Sequence, residues 1–131
     1  MNLEEIKLPI KAVAEKHNLE FAALFGSQAT RNTHAKSDID IAVISHNKVN
    51  VPRLMGELSE IFKRDDVEVV DLGLASPTLM YSVVKDGKVL YENSPDAFFS
   101  WKLYAIKIWM ETSWLRALRD RKIREWTPKV T

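Results

Sequence analysis

GSQATRNTHAKSDIDIAV, residues 26–43, is the stretch on which the reading of this chain turns. The apolar run FAALF (21–25) stops at Gly26 as a buried strand would, and Ile39 to Ser45 (IDIAVIS) follows two polar positions with the β-branched content of a second strand. Alternate side chains of an extended strand share a face, so Asp38 and Asp40 project together while Ile39 and Ile41 point into a core. Two carboxylates side by side repel unless a cation sits between them. Hard oxygen ligands of this kind suit magnesium, which takes one or two carboxylates together with substrate phosphates. Gly26 lets the backbone approach a phosphate, a helix after it would present unpaired N–H groups, and Ser27 adds a hydroxyl donor. Alone, each half is an ordinary turn or a pair of solvated acids. On one strand-helix-strand frame they point to a triphosphate-plus-metal site, where in-line displacement at phosphorus needs positioning and charge neutralisation. Thr30, Arg31 and Lys36, between the two halves, are candidate contacts to the phosphates. His34 lies in the same loop, whereas His17 and His46 sit in unrelated contexts without metal-ligand spacing.

Outward from this motif the chain alternates helices and strands. Leu3, Ile6, Ile10, Val13 and Ala14 recur at helical spacing over residues 3–17, and Leu54, Leu58, Ile61 and Phe62 do so after Pro52. Val67 to Leu72 (VEVVDL) reads as a third strand. Ser76-Pro77 has the cap-then-proline order of a helix start, predicting a short helix over Leu79 to Lys85 ended near Gly87 and then a strand. The competing reading is a hairpin on Asp86-Gly87. Ser94-Pro95-Asp96 repeats the helix-start signature, and Ala97 to Trp126, free of glycine and proline, reads as one long helix, whole or broken, with Tyr104, Ile108 and Leu115 on its apolar stripe. The expected fold class is α/β (α+β), a small mixed β-sheet flanked by helices with a long C-terminal helix.

The 131 residues fit one domain, and the absence of cysteine excludes disulfides, thiolate zinc sites and cysteine nucleophiles. Residues 1–100 hold 11 Lys and Arg against 15 Asp and Glu, while residues 101–131 hold 8 against 3, so a near-neutral chain joins an acidic front to a basic tail. That tail is either a solvated face or a surface for an acidic partner, a nucleic acid or a nucleotide. Its aromatics, with Arg116, Arg119, Arg121, Lys122 and Arg124, suit a partner surface. No stretch approaches the roughly 20 apolar residues of a membrane span, so a soluble cytoplasmic protein is expected.

Gly-Ser, ten residues, then Asp-x-Asp resembles the signature of the polymerase-beta-like nucleotidyltransferase superfamily. With VEVVDLGLASPTLMYSVVKDGKVLYE downstream, residues from about 20 to 92 are similar to its minimal nucleotidyltransferase (MNT) branch. The resemblance implies a nucleotidyltransferase fold, ATP as substrate, two magnesium ions, and Asp38 and Asp40 as catalytic metal ligands. It divides a single domain into a catalytic core over 1–95 and a C-terminal helix over 96–131 that packs on the core and offers a partner surface. Gly26, Ser27, Arg31 and Lys36 fall to nucleotide binding. The family adds a third carboxylate in a segment resembling VEVVDL. Residue-by-residue matching places Glu68 there with Asp71 in reserve, and strand parity agrees, since Val67, Val69 and Asp71 would share the side opposite Glu68. Glu68 departs from the usual aspartate by one methylene. Proteins of this branch and size act as antitoxins beside a HEPN-domain toxin. The resemblance therefore implies transfer of AMP to a hydroxyl of that toxin, a tyrosine, within a hetero-oligomer, and no direct contact with nucleic acid. Two alternatives stay open: a non-catalytic antitoxin that masks its partner by contact, and a nucleotidyltransferase acting on a small molecule such as an aminoglycoside.

Overall fold

The computed structural model describes residues 3–26 and 38–126. Helix α1 (Leu3–Lys16) leads into β1 (Leu19–Phe25), and β2 (Ile39–Ser45) is followed by α2 (Val51–Phe62), β3 (Val67–Asp71), a 3-10 turn (Leu72–Leu74) and α3 (Pro77–Asp86). The chain then forms β4 (Lys88–Glu92), α4 (Ala97–Glu111) and α5 (Ser113–Trp126). The sheet order is β3-β2-β1-β4, with β2 and β3 parallel and the other two pairings antiparallel, a mixed sheet as expected. Strands β1 and β2 are apolar on both faces because helices cover both. One core joins Ile10 and Ala14 of α1 and Leu54 and Leu58 of α2 to Ile39, Ile41, Val43, Val67 and Val69. The other joins Phe21, Ala23 and Ala42 to Met80, Val83, Phe98 and Trp101.

Local signals set the helix starts. Asn50 accepts the Arg53 N–H at 3.3 Å, and Ser76 Oγ accepts the Leu79 N–H at 3.2 Å ahead of Pro77. The helix-then-strand reading of residues 77–92 is the one adopted, with Gly87 as the helix boundary. The third cap is made differently from the sequence expectation. Asp96 gives no side-chain cap to α4, and the Phe98 N–H donates instead to Glu92 Oε1 at 2.9 Å, tying the helix start to the end of β4.

The long C-terminal helix is broken at Thr112, whose hydroxyl donates to the Ile108 carbonyl at 2.7 Å. Back-bonding of this kind competes with helix propagation. Arg116 stacks 3.3 Å over the Trp109 ring, which itself stacks on Tyr81 with ring centroids 4.4 Å apart, and Arg116 also donates to Thr112 Oγ1 at 2.8 Å. The guanidinium thus fixes the junction to α3. The apolar stripe expected at Tyr104, Ile108 and Leu115 is corrected to Phe98, Trp101, Ala105 and Ile108. Tyr104 is 56% exposed and Leu115 47% exposed, because Trp101 and Phe98 flank Phe21 with ring centroids at 5.4 and 5.0 Å and take the inward positions. Only α4 packs on the core, and no described α5 residue is buried.

Trp101→Ala should lower the free energy of unfolding by about 3–5 kcal/mol, whereas Tyr104→Ala should change it by less than about 0.5 kcal/mol. Denaturant titration of the two variants distinguishes the observed stripe from the one expected at Tyr104.

Candidate active site

The sheet topology brings three chain segments to one end. Because β1 and β2 are antiparallel and β2 and β3 parallel, the last residues of β1 meet the first residues of the other two strands. Phe25 pairs with Asp40, and Asp40 pairs with Glu68. Ile39 between the acids is fully buried, and so are Val67 and Val69 around Glu68 or nearly so. The buried neighbours fix the alternation, so Asp40 and Glu68 face the α3 and α4 side of the sheet together, one step ahead of Ala42 and Val70. Asp38 stands exposed immediately before β2, on the same parity as Asp40.

Gly26 closes β1 at φ +76°, in the left-handed region that favours glycine. A Cβ there would lie 2.6 Å from Asp40 Oδ2, so the missing side chain is what lets the carboxylate lie against the turn. Burial, then the neighbouring Glu68 and Asp38 carboxylates, raise the Asp40 carboxyl above the ordinary aspartate range. Of the three acids at this sheet end, the central one is thus the one whose ionisation is disfavoured.

Asp71 is employed elsewhere. Its Oδ1 accepts the Gly73 N–H at 2.9 Å and caps the 3-10 turn, while Glu68 is exposed beside Asp40. The structure therefore brings together Gly26, Asp38, Asp40 and Glu68 and sets Asp71 apart. Ser27, Thr30, Arg31, His34 and Lys36 lie outside the described residues. His17 pairs with Glu57 at 3.2 Å and His46 with Glu20 at 2.6 Å, both away from the acids. Among the described residues no three His, Asp or Glu side chains enclose a metal position by themselves.

One pair escaped the sequence reading. Arg64 forks onto Asp66, with Nε to Oδ1 at 2.7 Å, and lies within electrostatic reach of Asp38. The Asp66 carbonyl accepts the N–H of Ile39 at 3.1 Å, so this fork secures the residue between the two motif aspartates. The tetrapeptide KRDD (63–66) was the available signal, since two cations followed by two acids at a strand entrance can pair locally.

A mixed sheet with helices on both faces, a glycine turn and oxygen-only acids at one end has the donor chemistry for a divalent cation and a polyphosphate, which is that of a phosphoryl-transfer domain. The comparisons with known proteins make the class specific. The family described as Polymerase beta, Nucleotidyltransferase matches residues 9–96, and the chain belongs to this nucleotidyltransferase family. It is 36% identical over 104 residues to protein adenylyltransferase MntA of Aphanizomenon flos-aquae, covering 70% of this chain and 69% of that one. It is 37% identical over 92 residues to protein adenylyltransferase MntA of Shewanella oneidensis, covering 68% of this chain and 63%, less than two thirds, of that relative. A toxin-antitoxin crystal structure with AMP-PNP superposes with a TM-score of 0.73 at 30% identity, covering 91% of this chain and 96% of the other. A chain from the complex of tri-AMPylated Shewanella oneidensis HEPN toxin with MNT antitoxin superposes with a TM-score of 0.70 at 26% identity, covering 95% and 98%.

The raised Asp40 carboxyl has a definite sign. Stability is undiminished below the ordinary aspartate value and falls as pH rises through the higher folded value, because ionisation is costlier in the folded chain. Without divalent cations, Asp40→Asn should therefore melt higher than wild type at neutral pH, and the gap should close below about pH 4. Thermal unfolding with chelator across that range checks this; an asparagine variant no more stable at neutral pH would contradict the crowding of acids. Gly26→Ala should cost about 1 kcal/mol or more through backbone strain and displace Asp40. Weakened magnesium-dependent ATP binding by calorimetry is the expected readout, and unchanged affinity would place the nucleotide elsewhere.

Proposed function

We propose that this chain is a metal-dependent adenylyltransferase that moves AMP from ATP to a tyrosine hydroxyl of a HEPN-domain toxin and thereby acts as its antitoxin. The observation that carries the reading is the in-register pairing of Asp40 and Glu68 beside Asp38 and the Gly26 turn. Its context is a family whose relatives are named protein adenylyltransferases and whose structural neighbours include an AMP-PNP complex and an AMPylated HEPN toxin. On this reading the protein works in the cytoplasm; among the described residues no helix is long and apolar enough to cross a membrane.

Asp38, Asp40 and Glu68 are proposed as an all-oxygen, anionic donor set that suits magnesium together with substrate phosphates, and a cation there would favour the ionised form of Asp40, which burial and the neighbouring carboxylates disfavour. When bound, two magnesium ions would neutralise the triphosphate and orient its α-phosphorus. The chain's own residues supply the rest. Gly26 keeps the turn free of a side chain where the phosphates must approach, and Ser27, Arg31 and Lys36 are proposed to contact them. Glu68, an exposed acid of the set, is proposed to take the proton of the acceptor hydroxyl. As that oxygen bonds to the α-phosphorus, the bond to the bridging oxygen breaks and pyrophosphate leaves.

The basic α5 helix, exposed along the described residues, is proposed to steer the toxin onto the core. Arg116 is excluded from that role because it is engaged with Trp109 and Thr112. A masking antitoxin without transfer is the second reading, favoured by Glu68, which stands where the resemblance to the family implies an aspartate.

Intact mass spectrometry of a HEPN-domain protein encoded beside this chain, after incubation with the chain, ATP and magnesium, separates the two. The toxin should gain adenylyl mass, and Asp38→Asn with Asp40→Asn should slow that gain by about a thousandfold or more. A toxin that binds and is silenced without mass gain would establish masking. Arg119→Glu, Arg121→Glu and Arg124→Glu together should slow modification about tenfold at low salt with ATP affinity unchanged; an unchanged rate would remove α5 from the docking path.

A further inference from the structure

Helix α4 is apolar on two sides. Phe98, Trp101, Ala105 and Ile108 face the sheet. Phe99, Leu103, Ile106 and Met110 form a second stripe and are 54%, 55%, 37% and 67% exposed. With about 100° per residue the two stripes lie roughly 150° apart on the helix. A surface helix of a single domain needs one apolar stripe, and the second here has no cover among the described residues. The second stripe advances in steps of four, three and four residues. This is the 3.5-residue repeat of a coiled-coil seam, so the surface that fits it is another helix.

Charge selects which helix. Lys102 and Lys107 flank the stripe on either side, at the positions that face the neighbour's flanking side chains in a paired helix. Lys102 Nζ lies 5.0 Å from the Phe98 ring centroid, and the contact of Lys107 with Glu111 is 3.9 Å long and solvent-exposed, so both ammonium groups can be recruited at little cost. A second copy of this chain in parallel pairing would set each Lys102 against a Lys107. The flanking positions Ser100, Lys102, Lys107 and Trp109 hold no acid to pair with lysine in either orientation.

We propose that the outer stripe of α4 is a helix-pairing seam whose occupant is an amphipathic helix of the modified partner protein, apolar at heptad positions and acidic on its flanks. This rests on the reading of the C-terminal helices as the partner surface. It assigns the recognition to α4, while α5 governs approach.

Two synthetic peptides about three heptads long, with identical leucine seams and either glutamate or lysine at every flanking position, stay unpaired alone because each repels itself. By fluorescence anisotropy with the full chain, the glutamate peptide should bind about tenfold more tightly than the lysine peptide at low salt, with a preference that shrinks as salt rises. Leu103→Glu with Met110→Glu should abolish binding of both. Lys102→Glu with Lys107→Glu should invert the preference. These positions lie outside both cores, so circular dichroism should show an unchanged fold, and ATP affinity should also be unchanged. Equal binding of the two peptides, no binding of either, or binding that survives the Leu103 and Met110 substitutions would overturn the proposal. So would a wild-type chain that sediments as a dimer dissolved by those substitutions. Nucleotide transfer reports separately: its loss with peptide preference intact would condemn the catalytic reading and leave the seam.

Discussion

The placing of Asp40, half-buried, beside the carboxylates of Asp38 and Glu68 at one sheet end is the constraint around which the site is built. Burial first, and then the neighbouring Glu68 and Asp38 carboxylates, raise the Asp40 carboxyl, so its ionised form is disfavoured where it stands. What holds them in place is the burial of their neighbours. Ile39, Ile41 and Val43 of β2 and Val67 and Val69 of β3 share one core, so a slip of one residue between these strands would turn that whole set outward. The Arg64–Asp66 fork and the hydrogen bond from Ile39 to the Asp66 carbonyl add a local anchor where the strands begin. Apolar burial on one face therefore maintains an electrostatically unfavourable arrangement on the other.

Much of the scaffold was legible because its strands are strongly patterned. IDIAVIS is β-branched and forms β2 over the expected residues, and Ser76-Pro77 and Gly87 delimit α3. Strand β1 begins two residues before the expected run, at Leu19, because its entry includes Glu20, a charged residue that hides the strand character. The break at Thr112 carries no glycine or proline signal; it rests on a side-chain hydrogen bond that only the folded helix displays. Periodicity puts Tyr104 on the wrong face because α4 carries two apolar stripes, and spacing cannot say which of them the sheet will cover.

At the site, the shared face of Asp38 and Asp40 follows from a period of two, and the same parity separates Glu68 from Asp71. The turn-capping of Gly73 by Asp71 was not visible, since any aspartate before a glycine can either cap or ligate. The Arg64–Asp66 fork has a signal in KRDD, but which cation meets which acid depends on the path between α2 and β3. On the proposed function, chemistry and recognition occupy different parts of the chain: acids at a sheet end, and an apolar and basic surface on the C-terminal helices. A protein acceptor that docks on the second could present its hydroxyl to the first, gaining by association the orientation a pocket would otherwise supply.

The central claim is that the β2–β3 register, which pairs Asp40 with Glu68, makes Glu68 and not Asp71 the third carboxylate. It is tested most directly by single-turnover transfer of label from α-phosphate-labelled ATP to the HEPN-domain acceptor, with Glu68→Gln and Asp71→Asn compared against wild type. The account predicts that Glu68→Gln loses transfer by about a hundredfold or more while still binding ATP, and that Asp71→Asn transfers at close to the wild-type rate. An active Glu68→Gln beside a dead Asp71→Asn would contradict it.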